Sequence, residues 1–85
     1  MPHLEIHRRA LKYVESLPSD AQRRIKHTMN GLLEDPFPRG ATKVKGYDPA
    51  MFRIRVGDYR ILYHVGHPDG AILVAIIDKR GRVYE

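Results

Sequence analysis

Eighty-five residues suffice for one small domain and leave no room for a second core or a large enclosed pocket. An apolar content of 42% argues against a disordered chain, and the lack of cysteine excludes disulfides and thiolate metal sites. The net charge of +5, from 15 basic and 10 acidic residues, favours anionic partners: nucleic acid first, an acidic protein second, a membrane surface third.

The chain opens with His3 to His7, whose alternation predicts a short first strand, and no apolar signal core precedes it. Ala10, Leu11, Val14 and Leu17 recur at helical spacing, which predicts an amphipathic helix over Arg8 to Leu17 that Pro18 ends. Ser19 stands three residues before Gln22, a capping-box arrangement for a second helix. In that helix Ala21, Ile25, Met29, Leu32 and Leu33 form one apolar stripe. Arg23, Arg24, Lys26 and His27 occupy its other surface, and Arg23, Arg24 and Lys26 read as a solvated side that is also basic enough to touch RNA. Pro36 and Pro38 stop the helix within Asp35 to Gly40.

From Lys43 onward the pattern changes to β. Lys43 to Gly46 reads as a short strand and Tyr47 to Ala50 as a turn. Met51 to Val56 and Tyr59 to Val65 alternate around Gly57-Asp58, the signature of a tight hairpin. Gly66 to Gly70 is a loop, and Ala71 to Ile77 is apolar on both sides, as in a central strand covered at least in part on each face. That run is too short to cross a bilayer. Asp78 to Tyr84 reads as a charged bend leading to a short final strand. The expected fold is α+β over residues 1–85: two helices as an αα-hairpin on one face of a mainly antiparallel sheet of four or five strands, the other face left open.

Arg53 and Arg55 alternate with Phe52, Ile54 and Val56 and so share the face opposite to them, while Arg60 begins the next strand. Alternation alone is met equally by a solvated strand face and by an anion site. Arg80, Arg82 and Tyr84 follow the apolar strand, and they approach the hairpin arginines if that strand lies beside it, with Lys43 and Lys45 at the rim. Several permanent cations, one phenol and no evident metal-ligand set suit a phosphate, which arginine binds in bidentate fashion. With RNA the ribose 2′-hydroxyl supplies the nucleophile, so alignment and charge neutralisation are the main tasks left to the protein. Arginine itself is a poor general base. Tyr59 and Tyr63 share a face with Ile61 and read as core, Asp58 as a turn residue.

The order strand, two helices, P-F-P-R-G, K-V-K-G-Y, then F-R-I-R-V-G-D-Y-R-I-L-Y and R-G-R-V-Y resembles the RelE/ParE superfamily of toxin–antitoxin toxins, most nearly its RelE branch. The resemblance spans almost the whole chain. It implies a cytoplasmic, ribosome-dependent endoribonuclease that cuts mRNA in the A site without metal or cofactor. It also implies a cognate RelB-like antitoxin that blocks the toxin in a hetero-oligomer, with the ribosome and mRNA as the other partners and no membrane. By motif position it implies catalytic roles for Arg53, Arg55 and Arg60, for Arg80 or Arg82, and for Tyr84 stacking on a base. Lys45, with Lys43, Arg23 and Arg24, would face ribosomal RNA. Where relatives commonly carry strand lysines this chain has arginines, and Asp78-Lys79 stand where some relatives place an acid–base histidine. Two other functions fit the same fold: a ParE-like poison of DNA gyrase, and a binding module that has lost catalysis.

Overall fold

The computed structural model describes residues 3–66 and 70–79. Its elements run β1 (Leu4–Ile6), α1 (Arg8–Glu15), α2 (Ser19–Glu34), β2 (Thr42–Val44), β3 (Met51–Val56), β4 (Tyr59–Val65) and β5 (Ile72–Lys79). The five strands form one sheet in the order β1-β5-β4-β3-β2. Every neighbouring pair is antiparallel except β1 and β5, which run parallel. The expected α+β architecture is therefore present, with five strands. Among the described residues no helix is long and apolar enough to span a membrane.

Both helices lie on one side of the sheet because their apolar stripes have only one surface to meet. Ala10 and Val14 of α1 and Ile25, Met29 and Leu32 of α2 are buried against Val56, Ile61, Tyr63, Ile72, Val74 and Ile77. Tyr59 and Tyr63 share that face with Ile61, as their spacing predicted. Tyr63 is fully buried and its hydroxyl donates to the Pro36 carbonyl oxygen at 2.7 Å, tying the loop after α2 to the core. Phe37 and Phe52 meet edge to face at 4.9 Å, with the Phe52 ring 6.0 Å from that of Tyr63.

Several local expectations differ from what forms. β1 is limited to Leu4–Ile6, and His7 instead caps α1, its Nδ1 accepting from the Arg9 amide at 3.1 Å. The capping box does not form: Pro18 is the N-cap of α2 and Ser19 is already helical. The Gln22 side chain reaches back and donates to the Leu17 carbonyl at 2.8 Å and the Glu15 carbonyl at 3.3 Å. It satisfies carbonyls left open at the end of α1, and so fixes the angle between the helices. The short strand predicted from Lys43 begins one residue earlier and ends at Val44.

Two differences concern the face away from the helices. β5 continues through Asp78 and Lys79 where a bend was expected. Tyr63 pairs with Val74 and Leu62 with Ile76, so Ala75 is an extra residue in β5. Such a bulge flips the side-chain phase. Ile72, Val74 and Ile77 can then all face the helices, which explains a run without a polar side. The second face is also not simply open. Met51 and fully buried Leu62 form a small cluster there with Tyr47, Ala75 and Ile76.

Candidate active site

The hairpin sets the geometry. Gly57 takes φ +59° at the first turn position, and among the described residues no non-glycine residue has positive φ, the pattern of a type II′ turn. With that turn, Arg55 of β3 stands directly opposite Arg60 of β4, and Arg53 opposite Leu62. All lie on the face away from the helices, since their strand neighbours Ile54, Ile61 and Tyr63 pack in the helix-side core. Directly opposed cross-strand residues have Cβ atoms about 4.5–5.5 Å apart, so the two cations repel unless an anion joins them.

The three arginines differ in access. Arg55 is exposed and Arg53 half-buried, whereas Arg60 is only 2% exposed and is the one buried charged residue among those described. On its other flank Arg60 faces half-buried Asp78 of β5. The row Arg55–Arg60–Asp78 thus crosses three strands, and a carboxylate enters the neighbourhood that sequence reading assigned to cations and one phenol. Asp78 Oδ1 also accepts from the Lys79 amide at 2.7 Å. Its placement depends on the bulge at Ala75, which alternation cannot reveal.

Other expected site residues separate. β2 register puts Thr42 opposite Arg53 and Lys43 opposite Phe52, so Lys43 belongs to the helix-side face. Exposed Lys43 and Lys45 line a concavity of about 490 Å³ with Tyr47 and Asp48. Arg23 and Arg24 come instead to the hairpin tip. With His27, Thr28, Arg55, Val56 and Gly57 they border a depression of about 560 Å³. Arg80, Arg82 and Tyr84 lie outside the described residues. Arg39 was missed, having been read only as part of a helix stop. It lines a third cavity of about 390 Å³ with Thr42, Arg53 and Arg55.

No group of three or more His, Cys, Asp or Glu residues gathers in metal-binding geometry among the described residues. The Nδ1 of His64 lies 2.7 Å from the Ala50 carbonyl, a contact that joins β4 to the start of β3. The Tyr63 hydroxyl is pushed up to about 12, by burial first and by Asp35 second, and serves structure on the helix side.

An αα-hairpin covers one face of this five-stranded sheet, and arginines gather on the other. The sequence model of the family described as "ParE toxin of type II toxin-antitoxin system, parDE" matches residues 4–84, and the chain belongs to that family within the RelE/ParE superfamily. It is a RelE-type toxin of a toxin–antitoxin system. The RelE1 protein of Methanocaldococcus jannaschii is 30% identical over 98% of this chain and 94% of its own length. RelE in the RelE–RelB complex of Pyrococcus horikoshii OT3 superposes with a TM-score of 0.83 and 31% identity, covering 96% of this chain and 98% of that one. The isolated RelE toxin of E. coli gives 0.79 and 26% identity, over 98% and 88%.

Proposed function

We propose that this toxin is an endoribonuclease that cuts mRNA in the ribosomal A site and so arrests translation. The carrying observation is the opposition of Arg55 and Arg60 on adjacent strands, with Arg53 one alternation away. Exposed Arg55 and half-buried Arg53 grip the scissile phosphate, while buried Arg60 holds a fixed positive charge beneath it. The substrate 2′-hydroxyl attacks the adjacent phosphorus and gives its proton to water, and the P–O5′ bond breaks as the departing 5′-oxygen takes a proton from water, leaving a cyclic phosphate and a free 5′-hydroxyl. Charge that builds on the phosphoryl oxygens is met by guanidiniums already in place, which lowers the barrier without a cofactor. Arg80 and Arg82 add to this cation set through the family motif R-G-R-V-Y, and Tyr84 stacks on a neighbouring base. The ribosome supplies the substrate alignment that so shallow a surface lacks. Lys43 and Lys45 face ribosomal RNA in this arrangement, and Arg23 and Arg24 present a second basic surface to RNA. A RelB-like antitoxin completes the cytoplasmic pair, as the P. horikoshii relative's complex supports.

A second reading follows from the family's description as ParE: binding and poisoning of DNA gyrase without nuclease chemistry. Induction in cells separates the two. Prompt loss of amino-acid incorporation, abolished by Arg55→Ala together with Arg60→Ala, is expected. DNA-damage induction with translation intact would establish the gyrase reading instead.

A further inference from the structure

β2 pairs only with Met51 to Arg53, so the rest of β3, Ile54 to Val56, has no strand on its outer side. Two depressions flank this uncovered edge. One holds Arg39, Gly40, Thr42, Arg53, Ile54 and Arg55, the other Arg23, Arg24, His27, Thr28 and Arg55 with Val56 and Gly57. Arg55 lines both, so they adjoin along one stretch of surface whose lining has five arginines and no carboxylate. From Arg53 to Gly57 it runs roughly 13 Å at the rise of a β-strand.

One of its cations is packed against the hairpin, and the loop that carries a second is anchored. The Arg24 guanidinium packs over the hairpin tip, with Nη2 and Nη1 3.1 and 3.2 Å from where a Cβ on Gly57 would stand. Arg39 leaves a loop anchored by the Tyr63–Pro36 hydrogen bond, the Phe37–Phe52 contact, and the Phe37 amide donating to Asp35 Oδ1 at 3.1 Å. Arg23 is bridged to Asp20 at 2.6 Å, but both are largely exposed, and such a pair yields readily to a phosphate. Cations spaced along a groove suit successive phosphates of a strand better than one ion.

We propose that the RNA strand whose phosphate sits at Arg55 and Arg60 continues along the uncovered edge of β3. Its flanking phosphates are taken by Arg39 on one side and by Arg24 and His27 on the other. This path rests on the reading of Arg55 as a phosphate ligand, and it adds Arg39 and His27 to the surface.

Fluorescence anisotropy with a labelled single-stranded 2′-O-methyl RNA, which cannot be cleaved, tests the path apart from catalysis and without ribosomes. Arg24→Ala with Arg39→Ala is expected to weaken binding about tenfold near physiological salt. It should also flatten the slope of log affinity against log salt by roughly 1.4, two phosphate contacts on a single strand. Arg8→Ala with Arg9→Ala removes the same charge from α1 and should leave that slope unchanged; thermal melts of both variants establish that they fold. Equal losses in the two double variants would overturn the path. Competition by inorganic phosphate as effective as by unlabelled strand would overturn it too, marking a single-ion pocket. A wild-type chain that cuts mRNA on ribosomes while failing this test keeps the nuclease reading and loses the path. One that passes this test and cuts nothing does the reverse.

Discussion

At the scale of single residues, Tyr63 ties the loop after α2 to the core and Gly57 shapes the hairpin turn. The Tyr63 phenol titrates near 12 in the folded chain, against an ordinary value of about 10. A raised folded pKa favours the protonated form, so its contribution is complete below about pH 10 and is lost as the pH climbs through 12. Urea midpoints should therefore fall steeply between pH 10 and 12, and Tyr63→Phe should blunt that fall while costing about 1 kcal/mol at neutral pH through the lost bond to Pro36. At Gly57 a side chain meets both positive φ and the Arg24 guanidinium. Gly57→Ala is expected to cost about 1–2 kcal/mol in denaturant unfolding. The sequence disclosed Tyr63 as core and Gly57-Asp58 as a turn, because both follow from local spacing. It hid the near-complete burial of Arg60, since burial is decided by what the rest of the chain lays over a residue.

At the scale of elements, alternation and helical period were enough to locate both helices and both hairpin strands, whose bounds at Met51–Val56 and Tyr59–Val65 agree with the sequence pattern. What failed were local details that depend on a partner element. Gln22 looked like half of a capping box, yet its amide is better used on the carbonyls at the end of α1, which only the helix packing brings within reach. The bulge at Ala75 inverted the phase of β5 and carried Asp78 to the arginine face, where a periodic reading had no means of placing it. The apolar stripe of α2 was legible, and its centre Ile25 is fully buried. Ile25→Ala should cost about 2–5 kcal/mol in a urea melt by loss of burial and creation of a cavity. A change below 1 kcal/mol would show that the helix is not seated on the sheet as described.

At the scale of the whole molecule, the sheet separates two tasks. Its helix side is a core, and its other side and β3 edge gather arginines contributed by α2, β3, β4 and the loop before β2. Net charge pointed to an anionic partner, and alternation placed Arg53 and Arg55 on one face of their strand. Arg39 and His27 escaped because they join the surface only when the chain folds around β3. Arg80, Arg82 and Tyr84 fall outside the described residues, so their part rests on the motif alone. The central claim is that Arg55 and Arg60 act on an mRNA phosphate within the ribosome. Its most direct test is to map RNA ends after adding the purified toxin to ribosomes programmed with a defined mRNA, with the same RNA free as control. The expected result is A-site cleavage leaving a cyclic phosphate or its 3′-phosphate product, little cutting of free RNA, and loss of at least a hundredfold in rate for Arg55→Ala with Arg60→Ala. Undiminished cleavage by that variant, or intact mRNA in a stalled or freely translating ribosome, would contradict it.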